Sequence, residues 1–392
     1  MTDLPLPLPD RRITQKDSLK KTSSTSEVED INKFKNKYEN SKYNSITNDN
    51  NESSEDLRES THSNIKAMSL IKLKQIDDMR SKILNYKLLT EKTMFINSTK
   101  TANFIDKSNI ILFGPSGSGK SSFIKSLYRS LYNSQILPPE VMNKLIIRGN
   151  YRNEGTLNFT KLYLVVKTNN NTGITLCDTR GHFKMNQYEK EQFKIILEGN
   201  VKDGVKIEQK KERDPLSLWE FWKRDSELFP KEIFNAKEPG INSVPHAVVF
   251  VFDGSIDNVI QEEDIFFYKD LVNFSKNKGY QDIHVVLTRI DLFEKMVNKR
   301  YKNLPKSERN IKLNLLKDEK IEKVIETLNV NRSNIHFLEN YHGDGDSDNQ
   351  QENNLEIDYH ILKALVDILN SSESYMLYYM NQKQTCFAGC FN

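Results

Sequence analysis

The chain has 392 residues, which is enough for one large domain or two smaller ones with a proper hydrophobic core. Lys and Arg total 57 against 54 Asp and Glu, so the net charge of +3 gives no reason to expect a nucleic-acid partner. Three cysteines are too few for a disulfide framework, and we find neither a signal-peptide core nor a run of about 20 apolar residues. We therefore expect a soluble, cytoplasmic protein.

The N-terminal part of the chain divides into a polar tail and a helix. Residues 1–64 are rich in Ser, Asn, Lys, Asp and Glu, and such a segment cannot bury enough surface to offset its ordering entropy, so we predict disorder. A helical extension is predicted over 65–104, with its helix at 65–94 packing on the domain that follows. Four large apolar residues recur there at spacings of three and four: Ile76, Met79, Ile83 and Tyr86.

Residues 105–372 alternate short apolar runs with helical stretches. Helices are predicted over 120–132, 185–198, 260–276 and 357–370. Six runs have the length and composition of strands: 110–113, 161–166, 174–177, 247–252, 283–288 and 335–338. This alternation predicts an α/β domain with a mostly parallel six-stranded sheet and helices on both faces.

Two segments interrupt or follow this domain. Residues 200–245 hold both tryptophans, and a connection of that length serves either as a lid or docking surface or as a cover for one sheet edge. A second copy or another protein would bind through this insert or through the helix at 65–94. The C-terminal tail, residues 373–392, would reach a membrane only if Cys386 and Cys390 were acylated; otherwise it packs on the domain or stays free.

A phosphate-binding loop lies in residues 109–122, NIILFGPSGSGKSS. The match to G-x-x-x-x-G-K-[ST] follows an apolar strand and precedes a helix, as the motif requires. Backbone N–H groups of such a loop converge on phosphates, Lys120 is expected to reach the β- and γ-phosphates, and Ser121 to bind Mg²⁺. The predicted nucleotide-binding residues of the loop are Gly114, Pro115, Ser116, Gly117, Ser118, Gly119, Lys120, Ser121 and Ser122.

The sequence LCDTRGH, residues 176–182, supplies a second motif at the end of an apolar strand. In a Ras-like GTPase the carboxylate of D-x-x-G lies beside the water shell of Mg²⁺, and the glycine N–H contacts the γ-phosphate. We assign these roles to Asp178 and Gly181. His182 follows directly, where it either orients the attacking water, as a catalytic residue beside Lys120, or faces solvent.

The sequence VVLTRID, residues 285–291, resembles the base-reading motif [NT]-K-x-D of GTPases. Thr288 begins the motif, Arg289 replaces the usual lysine, and Asp291 would accept hydrogen bonds from N1 and N2 of guanine. Adenine has no such donor pair and would leave the carboxylate unpaired. The expected ligands are therefore GTP and GDP.

A threonine of the first switch loop is expected to complete the Mg²⁺ site. Thr156 and Thr160 are the candidates, and we prefer Thr156 because it lies in a loop, whereas Thr160 reads equally well as a strand residue. The set of metal ligands is then Ser121, Thr156 and Asp178. No arginine was identified that could supply positive charge to the transition state in cis, so hydrolysis is expected to be slow.

The motif order resembles the interferon-induced protein 44 family of GTPase-like proteins over about residues 75–372. The similar segments are GPSGSGKSSF, FTKLY, LCDTRG, AVVFVFD ahead of LTRID, and IHFLENY followed by ILKALVDIL. The resemblance implies a Ras-like fold, guanine-nucleotide binding and a group associated with innate defence in vertebrates. The function expected is a GTP-dependent switch with slow turnover; the alternative is a nucleotide-stabilised scaffold that does not hydrolyse GTP.

Overall fold

The computed structural model describes residues 57–87, 105–145, 158–168, 172–206, 240–341 and 353–389, and within these ranges it describes the side chains of residues 68–382. The helices of the described part are α1 (Leu57–Leu84), α2 (Lys120–Tyr132), α3 (Pro139–Leu145), α4 (Gln187–Leu197), α5 (Ile265–Asn277), α6 (Ile290–Arg300), α7 (Lys306–Leu328) and α8 (Leu355–Gly389). The strands are β1 (Lys107–Phe113), β2 (Asn158–Val165), β3 (Gly173–Asp178), β4 (Val205–Lys206), β5 (Ala247–Asp253), β6 (Ile283–Thr288) and β7 (Ile335–Phe337).

The strands form one mixed sheet in the order β4-β2-β3-β1-β5-β6-β7. The strands from β3 to β7 across the sheet are parallel, whereas β2 runs antiparallel to both β3 and β4. All six predicted strands are present, and the predicted α/β fold, with a mostly parallel sheet and helices on both faces, is confirmed. The two-residue β4, which the sequence analysis missed, adds a seventh strand at the edge.

Helices cover both faces of the sheet because successive strand side chains point to opposite sides. Ile110 and Leu112 of β1 pack with α1, α2 and α8 on one face. Ile111 and Phe113 pack with α4, α5 and α7 on the other. Because β1, β3 and β6 run parallel, their carboxyl ends lie at the same edge of the sheet, and the loops that follow them meet there.

Helix α1 belongs to this core. It begins at Leu57, earlier than the predicted start at 65, and the described part of the predicted tail is therefore helical. Ile76 and Ile83 are fully buried against α2 and α8, which confirms the predicted apolar face. Arg80 anchors the same face, since its guanidinium lies 2.7 Å from Asp358 of α8 and donates to the Ser130 carbonyl of α2 at 2.7 Å.

The C-terminal residues differ from the prediction. Helix α8 continues past the predicted end at 370 to Gly389, so the predicted tail over 373–392 is helical through Gly389. The physical reason is a long-range contact, because the buried ring of Tyr375 stacks on Tyr280 at 4.0 Å between centroids. The side chain of Cys386 and the whole of Cys390 lie outside the description, as do residues 207–239 of the insert. In the described part of the chain, none of the helices combines the length and apolar character needed to cross a membrane.

Replacing Tyr375 with alanine should lower the free energy of unfolding by about 3 kcal/mol, because it removes a buried aromatic ring and its stacking partner. Chemical denaturation followed by far-UV circular dichroism measures this change. Ser374→Ala alters the exposed side of the same helical turn and should stay within about 0.5 kcal/mol of the parent. Equal stabilities of the two variants would contradict the docking of this part of α8.

Candidate nucleotide site

The phosphate-binding loop (P-loop), residues 114–121, joins β1 to α2 and depends on its glycines. A Cβ at Gly114 would lie 2.1 Å from the Val251 carbonyl oxygen, so only glycine fits there. Gly117 and Gly119 have φ angles of +75° and +92°, which side-chain-bearing residues rarely adopt. The loop therefore curls tightly and delivers the backbone N–H groups at the start of α2 to one place.

Lys120 is the first residue of α2, and its side chain turns back into the loop. Its ammonium donates to the carbonyl oxygens of Gly114 and Pro115, each at 2.8 Å. Burial lowers the pKa of Lys120 to about 8, an effect that Asp178 opposes and Arg180 strengthens. The loop thus holds a desolvated cation, which a phosphate group would stabilise.

The predicted metal ligands Ser121 and Asp178 are brought together. Asp178 ends β3, where it pairs in register with Leu112 of β1, and its buried carboxylate accepts a hydrogen bond of 2.7 Å from the Ser121 hydroxyl. A hydroxyl and a carboxylate are hard oxygen donors, which Mg²⁺ prefers, and Mg²⁺ keeps several waters and phosphate oxygens in its shell. The pair therefore fits a Mg²⁺ site of the kind that a nucleotide completes, and no group of three His, Cys, Asp or Glu was found in the described part that could hold a metal by itself.

The structure describes only one of the two threonines that were candidates for the Mg²⁺ site. Thr156 lies outside the described residues. Thr160 is a buried residue of β2, paired in register with Asp178 on β3, in agreement with its reading as a strand residue.

The D-x-x-G loop lies directly against the P-loop. A Cβ at Gly181 would come within 2.5 Å of the Ser116 Cα and 3.1 Å of the Lys120 ammonium. The Ser116 N–H donates to the His182 carbonyl oxygen at 2.7 Å. This close approach explains why glycine occupies position 181, and it puts the backbone there beside the Lys120 ammonium.

The side chain of His182 lies elsewhere than expected. It is fully buried, stacks on Phe113 at 5.2 Å between ring centroids, and its Nε2 is 2.7 Å from the Tyr268 hydroxyl. Burial, strengthened by Lys120 and Arg180, holds the pKa of His182 well below its ordinary value, so the ring is neutral. The expectation of a solvent-facing histidine is wrong, and the ring is not exposed towards an attacking water, because the aromatic pocket formed by Phe113 and Tyr268 takes it into the core.

The base-reading motif reaches the P-loop from the other side. The Thr288 hydroxyl, buried at the end of β6, donates to the Ser118 carbonyl oxygen at 2.7 Å. A Cβ at Gly119 would lie 3.0 Å from that hydroxyl and 3.2 Å from the Asn340 amide nitrogen. Thr288 therefore supports the P-loop, which is a positioning role, while the residues after it lie at the same edge of the sheet.

Arg289 and Asp291 follow this contact. Arg289 has a φ of +58° and forms an ion pair with Asp253 at the end of β5. Asp291 lies in the first turn of α6, is largely buried, and its carboxylate accepts a hydrogen bond of 3.0 Å from the exposed Lys295. The first turn of α6 thus holds this carboxylate at the edge where a base would be read, and a helix start favours a negative group.

Three residues of this region escaped the sequence analysis. Asn340 touches the P-loop at Gly119, Asp253 pairs with Arg289, and Glu189 pairs with Arg180 inside the D-x-x-G motif. For Asn340 and Asp253 a usable signal existed, since each falls at or just beyond the end of a parallel strand. Glu189 carried no such signal, because its partner is chosen by helix packing.

Comparisons with known proteins identify no family for the whole chain. A family model described as "Protein of unknown function (DUF815)" matches residues 52–206. No curated protein matches the chain. None of these findings supports the interferon-induced protein 44 family in particular.

Among solved structures, the chain is similar to a dimerization-deficient mutant of Toc33 from Arabidopsis thaliana, at 12% identity and a TM-score of 0.40, covering 77% of this chain and 92% of that one. It is also similar to Toc33 in complex with Mg²⁺ and GMPPNP, at 11% identity and a TM-score of 0.38 with the same coverage, 77% and 92%. The GTP-bound S. cerevisiae Ski7 GTPase-like domain matches at 13% identity and a TM-score of 0.37, covering 70% of this chain and 53% of that one. Likenesses at this level assign neither a ligand nor a role to this chain.

Proposed function

We propose that the chain is a guanine-nucleotide-binding protein that acts as a GTP-dependent switch with slow, Mg²⁺-dependent hydrolysis. The observation that carries the proposal is the hydrogen bond of 2.7 Å between Ser121 and Asp178. It joins the P-loop hydroxyl and the D-x-x-G carboxylate, which are far apart in the sequence, at the first turn of α2. This is the pairing that a Mg²⁺-nucleotide complex requires.

The residues around the Ser121–Asp178 hydrogen bond would each contribute differently to binding the phosphates. Lys120 and the N–H groups at the start of α2 would hold the β- and γ-phosphates, and the backbone at Gly181 lies beside the same ammonium. Mg²⁺, when bound through Ser121 and Asp178, supplies charge neutralisation to the phosphate oxygens. Thr288 keeps the loop in shape through its bond to the Ser118 carbonyl.

The residues after β6, on the other side of the P-loop, favour guanine as the base. The Asp291 carboxylate accepts from Lys295 through one oxygen, and the N1 and N2 groups of guanine would offer it two further hydrogen bonds. Adenine has no such donor pair and would offer this largely buried carboxylate neither bond. The ion pair of Arg289 with Asp253 leaves the guanidinium at the same edge, where its plane can lie along the base.

A nucleotide-stabilised scaffold without turnover is the second candidate, and the burial of His182 favours it. The neutral ring is hydrogen-bonded to the Tyr268 hydroxyl in the core, so we assign His182 no water-orienting role. A rate at the slow, unassisted end, about 10⁻⁴ to 10⁻² s⁻¹, is what the proposal expects. The resemblance to the interferon-induced protein 44 family rests on the order of the motifs and is part of the proposal only at that level.

Titrations of the purified chain with GTP, GDP and ATP in the presence of Mg²⁺ test the proposal. Both guanine nucleotides should bind, and ATP should bind much more weakly than either. Tight binding of ATP, or no binding of any of the three, would contradict it. Release of inorganic phosphate from GTP then separates the switch from the scaffold.

Exchange of one atom at the base edge should shift specificity. In Asp291→Asn the two acceptor oxygens become one acceptor and one donor, so the affinity for GTP should fall about 10- to 100-fold. The affinity for xanthosine triphosphate should rise, because that base carries an acceptor at C2. Competition against a fluorescent guanine nucleotide measures both changes. Glu294→Gln removes the same charge one turn away on α6, where the side chain bonds to Lys317, and should leave both affinities unchanged. A parallel loss in the two variants would indicate a general charge effect.

A further inference from the structure

We propose that Arg180 distinguishes a nucleoside triphosphate from a diphosphate: it is bound to Glu189 in the conformation described here, and it turns to the γ-phosphate when a triphosphate is present. The inference rests on the proposed function, because it assigns to a nucleotide site the residue that reads the terminal phosphate. It also supplies the positively charged group in cis that the sequence analysis did not identify.

The backbone on both sides of Arg180 is tied to the P-loop and its strand. The Thr179 hydroxyl donates to the Leu112 carbonyl oxygen of β1 at 2.7 Å. On the other side, the backbone at Gly181 is so close to the loop that an added Cβ would lie 3.1 Å from the Lys120 ammonium. The backbone on either side of Arg180 is therefore held close to the phosphate-binding segment, and the proposed redirection of the guanidinium requires only a rotation of its side chain.

The guanidinium is held back by one carboxylate. Arg180 and Glu189 form an ion pair, and both side chains are more than nine-tenths buried. The Arg180 Nε has no hydrogen-bond partner among the described residues. A buried pair of this kind is a poor source of stability, since desolvation offsets most of the attraction. An anion with several oxygens can satisfy more of the five guanidinium donors than one carboxylate does here.

The charges around the pair favour such an anion. Arg180 lies near enough to Lys120 to help lower the pKa of its ammonium, whereas Asp178, which accepts a hydrogen bond from Ser121, raises that pKa. The γ-phosphate is the group expected beside Gly181, whereas a diphosphate ends before that point. A triphosphate therefore competes with Glu189 for Arg180, and a diphosphate does not.

Release of Arg180 has a structural consequence. Glu189 lies in the first turn of α4, where its N–H donates to the Asn186 side chain that caps the helix. The ion pair thus ties the start of α4 to the D-x-x-G loop. Its rupture would free that turn, which gives the triphosphate state a different surface from the diphosphate state.

Dissociation constants for GDP and for a non-hydrolysable GTP analogue, measured by calorimetry on the full chain with Mg²⁺, test the inference. In Arg180→Ala the affinity for the GTP analogue should fall about 10- to 100-fold while that for GDP changes less than about 3-fold. Arg180→Lys should restore part of the preference. Glu189→Gln removes the competing charge and should raise the preference for the triphosphate about 5-fold.

Two further variants keep the result interpretable. Arg180→Ala leaves the Glu189 carboxylate buried without its partner, so the double variant Arg180→Ala with Glu189→Gln is measured as well and should lose the same preference. Lys190→Ala removes another ion pair of α4, between the largely buried Lys190 and the exposed carboxylate of Asp270, and should leave the ratio of the two constants unchanged.

The outcomes separate the two proposals. If the parent binds both nucleotides and the ratio in Arg180→Ala and the double variant equals that of the parent, the inference is overturned and the proposed function stands. Equal loss of both nucleotides in these variants also overturns it, since that reports a structural role. If the parent binds no guanine nucleotide, the proposed function and the inference fail together.

Discussion

Replacing Lys120 with alanine is expected to lower the affinity for GTP by about 1000-fold or more. The ammonium supplies charge-assisted hydrogen bonds to two phosphate groups, each worth about 1.5–3 kcal/mol, and 1.4 kcal/mol corresponds to a factor of ten. No other described lysine lies within the loop, whose carbonyl oxygens of Gly114 and Pro115 hold this one at 2.8 Å. Displacement of a fluorescent GTP analogue measures the loss.

The matching control lies on the same helix. Lys125→Ala removes an equal charge from α2 one turn beyond the P-loop, and its effect on GTP affinity should remain below about 3-fold. The nucleotide-free fold of Lys120→Ala should persist, because relief of the buried charge offsets the two lost hydrogen bonds. Thermal melts without and with GTP distinguish the cases: retained folding with no GTP-induced rise in Tm is the expected pattern. A normal rise would place the phosphates elsewhere.

His246, His284 and His336 together should cost the protein about 6 kcal/mol of stability between pH 7 and pH 5, because they stay neutral in the fold. The buried His182 adds to this loss. Burial lowers the pKa of His246 to about 4, of His284 to about 3 and of His336 to about 4, from ordinary values of 6.5. The unfolded chain therefore binds more protons below pH 6.5, so stability is full above that pH and declines as the pH falls towards 4. At pH 5 each histidine contributes about 2 kcal/mol of this loss.

The contacts of these rings explain why they resist protonation. His246 accepts from the Asn109 N–H at 2.9 Å through Nδ1, so a proton there has no room. His284 lies between His336 at 3.1 Å and Ser371 of α8 at 2.8 Å, and a charge on either imidazole would repel one on the other. Near His336, Asp367 favours the charged form and Lys363 opposes it, but burial outweighs both.

Urea unfolding at pH 7, 6 and 5, followed by circular dichroism, measures the slope. His246→Gln removes one titrating group and should make the decline shallower by about 1.4 kcal/mol per pH unit below pH 6. His360→Gln replaces a half-exposed histidine of α8 and should change the slope less. A free energy of unfolding that stays constant from pH 7 to pH 5 would refute the assignment of these histidines as buried and neutral.

Much of the candidate site was predictable because it follows from one rule of parallel sheets. Asp178 and Thr288 each end an apolar run, and the carboxyl ends of parallel strands meet at one edge, where the P-loop also lies. The glycine pattern and the lysine of the loop carry their own local geometry. These features required no knowledge of which helices pack together.

Other features depended on partners that are distant in the sequence. His182 was expected either to orient the attacking water or to face solvent, but Phe113 and Tyr268 enclose it, and neither residue is near it in the chain. The sequence assigned no role to Arg180, because its ion pair with Glu189 forms only when α4 packs beside the D-x-x-G loop. Such choices depend on how helices dock on the sheet, which local patterns do not encode.

The sequence by itself determined the alternation of strands and helices, the P-loop and the order of the motifs around it, since each depends on residues within a few positions of one another. Only the tertiary structure decided the length of α8, the burial of His182 and the restraint of Arg180. The physical reason is that stacking of Tyr375 on Tyr280, and pairing of buried charges, gain their energy from contacts made when the whole core closes.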